Sequence, residues 1–285
     1  MKKINIGGVP EHFNLPWHLL MESSALAEKS IELNWEDQHG GTGEMVNSLK
    51  NGNLDMAILL TEGISKALLE GLEAKIVQVY VSTPLHWGIH VPFDSDIKSV
   101  NDLEGKKFAI SRYGSGSHLM TYVQADQSGW NLNQLNFEVV NNLEGGLNSL
   151  ENNDCQGFLW EKYTTHPYVL EERCKYIGEV VTPWPCFSIA VSKDCLDKHK
   201  DDVLWLITKV LEVAKELKQD ENSIQMISDR YAIPLEKIEQ WFERTDWNYE
   251  NTLDFDAFEK TVNYLTKLDL VETSQASDWA NKLFI

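Results

Sequence analysis

The residue types able to do chemistry gather in four short runs. The first is Val9-Pro10-Glu11-His12-Phe13, placed directly after a β-rich stretch. A polar, proline-bearing loop there can present Glu11 and His12 to a ligand, and an ordinary strand-to-helix loop accounts for the same residues equally well. The second is His39-Gly40-Gly41-Thr42-Gly43-Glu44. Its glycines allow close approach of backbone N–H groups to a ligand, and Thr42 is placed to cap a helix beginning near Gly43. The positive end of such a helix favours carboxylate, sulfonate or phosphate oxygens. No Gly-Lys-Ser/Thr follows, so a nucleotide-type phosphate loop is excluded.

The third run is Ser111-Arg112-Tyr113-Gly114-Ser115-Gly116-Ser117-His118. Leu119 stands where a dinucleotide fingerprint needs its third glycine, and His118 stands where a hydrolase nucleophile elbow needs its last. What is left is a hydroxyl-rich helix start with Arg112 and His118 beside it: an anion cradle, or a merely well-capped helix. The fourth run is Gly157-Phe158-Leu159-Trp160-Glu161-Lys162-Tyr163, followed later by Pro183-Trp184-Pro185-Cys186. Aromatics at strand ends can stack on a flat ligand, with Trp17, Trp87, Trp160 and Trp184 the candidates, although most indoles serve as core. His86 and His90 have metal-ligand spacing only on a helix, and Trp87-Gly88-Ile89 between them reads as strand or hinge. No spacing identifies a metal site, a cofactor or a nucleophilic triad. Cys155, Cys174, Cys186 and Cys195 form no Cys-x-x-Cys pair and read as free, partly buried thiols.

The chain that must position these residues has 285 of them, with 25 basic against 44 acidic side chains and a net charge of −19. Such a surface repels nucleic-acid phosphates and anionic lipid, so neither is expected as a partner. No run approaches the ~20 apolar residues of a membrane span. Asn5 and Glu11-His12 interrupt any leader-like start, which implies a cytoplasmic protein if the sequence is full length and an exported one if a leader was removed. β-Rich runs at Lys3–Gly7, Ile31–Trp35, Leu54–Leu60 and Lys75–Val81 alternate with helical patterns at Trp17–Ala27, Gly43–Lys50 and Gly63–Glu70. The pattern restarts with strands at Lys107–Ser111, Phe137–Val140 and Gln156–Trp160 and helices at Ser117–Gln127 and Gly145–Glu151. This order predicts α/β architecture with mostly parallel sheets. From Asp201 the signal is helical, with further helices over Glu221–Arg230, Leu235–Glu243, Asp256–Leu268 and Ala276–Leu283.

One internal echo stands out. Asn47-Ser48-Leu49-Lys50-Asn51-Gly52-Asn53-Leu54-Asp55 lines up with Asn148-Ser149-Leu150-Glu151-Asn152-Asn153-Asp154-Cys155-Gln156 at an offset of 148 − 47 = 101 residues. Each copy reads as short helix, polar turn and buried strand. Chance produces such likeness too, but two similar lobes with ligand-facing strand ends are the sharper reading.

Taken together in chain order, Val9-Pro10-Glu11-His12, Gly40-Gly41-Thr42-Gly43, Leu49 to Ile58, Leu60-Thr61-Glu62-Gly63, Leu103 to Ser111 and Gly114-Ser115-Gly116-Ser117-His118 resemble the solute-binding proteins for nitrate, sulfonates, taurine and thiamine precursors. That resemblance spans Lys3 to about Leu217 and implies the type II periplasmic binding protein fold. The chain is most similar to a branch lacking export signals. The fold expected is two lobes, each a mostly parallel mixed sheet flanked by helices: residues 1–84 with 187–285, and residues 85–186. Crossings are expected near Ser82–Trp87 and Thr182–Ser188, with ligand held between the lobes by hinge closure. Carried over position by position, the implied ligand contacts are Glu11, His12, Thr42, Thr61, Glu62, Ser115, Ser117, His118, Trp160 and Glu161.

The resemblance implies capture of a small anionic or zwitterionic organic molecule, with an ABC importer permease as partner or in a sensor role, and no cofactor. The alternative is an intracellular enzyme on the same fold, of lyase or of thiamine- or menaquinone-pathway type. An acid–base pair such as Glu11 and His118 would serve it. The cysteine cluster of the related pyrimidine synthase is missing, since the four cysteines are dispersed. Ligand sign is divided: helix N-termini and Arg112 attract anions, whereas Glu11, Glu62 and Glu161 repel them unless protonated or paired. A zwitterion, or an aromatic amine with a polar tail, meets both demands.

Overall fold

The computed structural model describes residues 2–250 and 253–285. In chain order the first elements are β1 (Lys2–Gly8), α1 (Leu15–Glu22), α2 (Ala25–Glu28), β2 (Ile31–Asp37), α3 (Thr42–Lys50), β3 (Met56–Leu60), α4 (Thr61–Leu69) and β4 (Ala74–Val81). Next come β5 (His86–Val91), β6 (Lys107–Ile110), α5 (Gly116–Gln127), β7 (Asn136–Val139), α6 (Leu143–Glu151), β8 (Gly157–Glu161), α7 (His166–Leu170), β9 (Lys175–Val181) and β10 (Phe187–Ser192). The chain ends in α8 (Lys193–Gln219), α9 (Ser223–Tyr231), α10 (Leu235–Arg244), α11 (Phe255–Lys267), α12 (Thr273–Ala276) and α13 (Trp279–Leu283).

These elements form two compact units, Met1–Pro84 with Pro183–Ile285, and Leu85–Thr182. The first unit holds a five-stranded sheet in the order β2-β1-β3-β10-β4, the second one in the order β7-β6-β8-β5-β9. β1 is parallel to β2 and β3, while β10 runs antiparallel to both β3 and β4. β6 is likewise parallel to β7 and β8, and β5 antiparallel to both β8 and β9. The two orders are the same arrangement twice over, with one reversed strand each. Every residue of β3 is buried, as a central strand covered on both faces requires, and its unbroken Met-Ala-Ile-Leu-Leu run follows from that position. Edge strand β7 alternates short and polar, Asn136-Phe137-Glu138-Val139, and stays largely exposed.

The structure departs from the sequence expectation at several points. β9 and β10 have no counterpart among the strands expected from the sequence, and the Trp87–Ile89 part of β5 reads there as strand or hinge. β5 also decides the fate of His86 and His90: four residues apart on a strand is about 13 Å, too far to share a metal. The expected helix over 17–27 breaks into α1 and α2, separated at Ser23, which is extended. The one over 276–283 splits where Asp278 takes a left-handed conformation, φ 57°. Residues 183–186 belong to the first unit and not the second. Cys186 N–H donates to Thr83 O at 3.1 Å, and the Trp184 indole is bound within the first unit. All four cysteines are buried and unbridged.

Candidate functional site

Each unit places its candidate residues at or just past the C-terminal ends of parallel strands. In the first unit, β1 ends at Gly8 and the chain turns through Val9 and Pro10. Asn14 Nδ2 donates to Val9 O at 2.8 Å, and the amide of Glu11 donates to the same carbonyl at 2.8 Å. Glu11 then caps a short 3-10 turn over His12–Asn14. His12 is fully buried, its ring 4.2 Å from that of Trp241 and 4.9 Å from that of Phe13, with Tyr231 at 6.0 Å. Burial in this aromatic setting lowers its pKa to about 3, so it is a neutral imidazole at physiological pH. Both its ring nitrogens lack a hydrogen-bond partner. The loop is pinned from below, since Tyr80 OH and Trp247 Nε1 both donate to Phe13 O, at 3.1 and 3.2 Å.

Thr42, Thr61 and Glu62 come together around the end of β3. The helix start differs from expectation: α3 begins at Thr42 itself, with Gly41 at the cap in a positive-φ conformation (φ 67°) and no side chain capping. Only glycine takes that geometry without strain, which explains the residue at position 41. The Thr42 hydroxyl is spent elsewhere, accepting from Leu60 N–H at 3.2 Å, and thereby ties α3 to the strand end. Thr61 pairs its hydroxyl with that of Ser188 on β10 at 2.9 Å. Glu62 is 1% exposed, and its Oε2 accepts the Trp184 indole N–H at 2.7 Å. Its Oε1 has no partner, and burial pushes the carboxyl pKa up to about 7.

In the second unit the β6-to-α5 bend is built from serines. Ser115 caps α5, its hydroxyl accepting from His118 N–H at 3.4 Å. Ser117 accepts from Ser111 N–H at 3.0 Å and lies 3.1 Å from Ser115 Oγ. His118 Nδ1 accepts from Gly114 N–H at 3.1 Å, which leaves any proton on Nε2. Its ring lies among Phe137, Tyr122 and Tyr113, at 4.7, 5.1 and 5.3 Å. Desolvation there lowers its pKa to about 4. The positive charge that the sequence reading allowed at this helix start is therefore not supplied by His118, nor does His118 provide a base poised near neutrality.

At the end of β8, Trp160 packs against the core of Ala109, Leu147, Leu150 and Phe158, with its ring 5.5 Å from that of Phe158. Glu161 is 3% exposed; its Oε2 accepts Thr164 N–H at 2.6 Å while Oε1 has no partner. Burial again raises the pKa to about 7, with Lys162 pulling weakly the other way. Lys162 itself is committed to Glu179 at 2.7 Å.

The pairing of Glu62 with Trp184 spans 122 residues, and no spacing rule reaches that far. The prolines on either side of Trp184 were the available sign of a fixed conformation there. The Trp241 and Tyr231 rings around His12 come from α10 and α9, more than two hundred residues away in sequence. Among the described residues, no group of three or more His, Cys, Asp or Glu side chains is placed to hold a metal ion. No helix among them is long and apolar enough to cross a membrane.

Two five-stranded sheets of one strand order give the generic periplasmic binding protein fold, shared with solved structures of sulfonate- and nitrate-binding proteins. Within that class, residues 87–180 match the Ca3427-like PBP family. The Candida albicans CA3427 gene product, which has the generic periplasmic binding protein fold, superposes with a TM-score of 0.91 at 23% identity, over 100% of this chain and 96% of that one. The alkanesulfonate-binding protein SsuA from Xanthomonas axonopodis pv. citri, bound to MOPS, gives 0.80 at 15% identity over 100% and 98%. The periplasmic nitrate-binding protein NrtA from Synechocystis PCC 6803 gives 0.73 at 14% over 99% and 86%. No curated protein matches the chain by sequence. The resemblance read from the motifs thus holds at the level of the fold.

Proposed function

We propose that the protein is a non-enzymatic binder of one small organic molecule, taken up at the strand ends of both units by hinge closure at the crossover segments and released unchanged. In the cell it serves as the binding component of an ABC-type importer or as a sensor. The observation that carries this reading is the repetition itself. Both sheets have the same strand order, and in both the residues singled out by type and spacing lie at the C-terminal ends of parallel strands, where open α/β sheets take their ligands. Similarity in fold to proteins named for binding alkanesulfonate and nitrate supports it further.

An enzymatic reading is favoured by one observation, the two buried carboxyls held near pKa 7, where general acid–base groups are most effective. The two readings separate in one experiment. Native mass spectrometry of freshly purified protein is expected to show one captured small molecule per chain, recovered chemically unchanged after release. Conversion of that molecule on incubation, abolished by Glu62→Gln while binding persists, would establish the enzyme instead.

A further inference from the structure

The polar groups of the candidate residues are mostly spoken for. The hydroxyls of Thr42, Ser115 and Ser117 accept from backbone N–H groups, and Thr61 is bonded to Ser188. His12 and His118 carry no charge near neutrality. The exceptions in the first unit are His12, a neutral ring with both nitrogens unpartnered, and Glu62, an acid. Glu62 is 1% exposed, held through Oε2 by one indole N–H, with Oε1 lacking any donor. A buried carboxyl oxygen left without a partner costs roughly 1–3 kcal/mol, and more when ionised, so a donor at that atom is favoured. The indole that donates to Glu62 is itself packed against a ring. Trp184 meets Tyr264 edge-on at 5.7 Å. Thr61 N–H is bonded to Cys186 O, and the next residue, Phe187, packs on Phe13 at 5.0 Å. Burial, the indole and its own backbone N–H are the influences on this carboxyl, and no charged side chain among the described residues compensates it.

We infer that Glu62 Oε1 is the anchor for a basic nitrogen of the bound molecule, so that the ligand is a small organic cation or a zwitterion carrying an ammonium, amidinium or protonated heteroaromatic group. A cationic N–H gives Oε1 its missing donor and supplies the counter-charge that a desolvated carboxylate lacks. The Trp184 ring bonded to the carboxyl adds cation–π attraction. A simple sulfonate or nitrate offers neither and is repelled by the ionised form. This inference rests on the binding reading above, and it diverges from the ligands for which the sulfonate- and nitrate-binding neighbours are named.

The test is calorimetric titration of the full chain, at constant ionic strength, with benzylamine, benzamidine, benzyl alcohol, benzenesulfonate and sodium nitrate. Both cations are expected to bind at least tenfold more tightly than the neutral and anionic probes, with proton release at pH 7 visible as a buffer-dependent enthalpy. Glu62→Gln is expected to lower the affinity for both cations at least tenfold and leave benzyl alcohol unchanged. If that variant does not fold, the ranking of the five probes on the unaltered protein decides alone. Benzenesulfonate or nitrate binding as tightly as the cations, undiminished cation affinity in a folded Glu62→Gln variant, or no binding of either cation at millimolar concentration would overturn the inference. A captured anion with no basic nitrogen, found by native mass spectrometry, overturns this assignment and leaves the binding function standing. Absence of any captured molecule together with silence from all five probes removes both.

Discussion

Residues 42–60 and 143–161 are the same piece of backbone built from different side chains. α3 and α6 are each nine residues long, β3 and β8 five, and the offset is 101 throughout. The turn between helix and strand keeps its hydrogen bonds: Asn53 N–H to Ser48 O at 2.9 Å corresponds to Asp154 N–H to Ser149 O at 3.0 Å. Asp55 N–H to Asn5 O and Gln156 N–H to Lys107 O, both 2.8 Å, fasten the two strand starts to their neighbours. The filling is not conserved between the copies. Gly146 on α6 faces the Phe158 ring, whereas the equivalent positions in the first unit are Met45 and Ala57, both fully buried. Bulk has moved from strand to helix. Backbone bonding therefore defines the repeat, and the site chemistry is added at the strand ends, where the copies diverge most: β3 leads straight into α4, and β8 into a turn and the short α7.

The largest effect is expected from forcing one copy's filling onto the other. A Cβ at Gly146 would lie 2.3 Å from Phe158 Cζ, so Gly146→Met is expected to cost about 3 kcal/mol or more by overpacking. Phe158→Ala alone should cost about 3–5 kcal/mol through the cavity it leaves. The double variant reproduces the Met45/Ala57 pattern and is expected to recover at least about 2 kcal/mol relative to additivity, read from urea unfolding as a double-mutant cycle. Strict additivity would show that the two interfaces are not equivalent.

The next largest effect concerns the two buried carboxyls. Glu62 and Glu161 have pKa values raised by burial to about 7. Between the ordinary carboxylate range and pH 7 the folded chain thus holds protons that the unfolded chain has released. The stability they contribute is complete in acid and is lost as pH rises through 7. Glu62→Gln should therefore gain on the unaltered protein as pH goes from 5 to 8, by up to about 3 kcal/mol, the limit set by a shift of this size. Glu161→Gln should show a gain of similar size, because burial raises that carboxyl to the same value. His12, His90 and His118, with pKa values lowered by burial, act in the opposite sense below about pH 6.5. Only the difference between variant and parent at each pH isolates the carboxyls. A difference flat with pH would refute their protonation in the free protein.

Much of the scaffold was legible in the sequence because it is local. The 3.6- and 2-residue periods locate α3, β3, α6 and β8 to within two residues, and the echo announces the second sheet before any coordinate does. β10 was not legible and β5 only in part: an antiparallel strand inserted from the far side of the chain takes its place from its neighbours as much as from its own alternation. The site divides in the same way. Position at strand ends follows from the order of elements. The roles of Thr42 and Ser117 as backbone braces depend on contacts at the strand ends, and the sequence reads such hydroxyls equally as ligand groups. Burial is the other hidden variable. The imidazole of His12 is a cation or a neutral core group depending on rings supplied more than two hundred residues later.

A smaller effect separates the two strand fasteners. Asp55 Oδ2 accepts Asn5 N–H at 2.8 Å, while its counterpart Gln156 Oε1 accepts Lys107 N–H at 3.4 Å. Hydrogen bonds to a carboxylate are stronger than those to an amide, and the shorter one is the charged one. Asp55→Ala should cost about 1.5–2 kcal/mol and Gln156→Ala about 0.5 kcal/mol, measured by chemical denaturation. Equal costs would show that the fastening rests on the shared backbone bonds alone.

The smallest effect lies one turn earlier, at the helix C-termini. Gly52 and Asn153 occupy equivalent positions with φ of 73° and 59°. Glycine and asparagine are the two residues that accept this left-handed conformation most readily, so the copies meet one backbone demand by different means. Nothing lies within 4 Å of a Cβ built at Gly52, and a substitution there meets only the backbone cost. Gly52→Ala is therefore expected to lower stability by about 1 kcal/mol, and Gly52→Asn by only a few tenths. Asn153→Gly should be nearly neutral, since the relief at φ is offset by the greater freedom of glycine in the unfolded chain. Thermal melts of the three variants rank them directly. Were Gly52→Asn to cost as much as Gly52→Ala, the two turns would share a shape without sharing its cause.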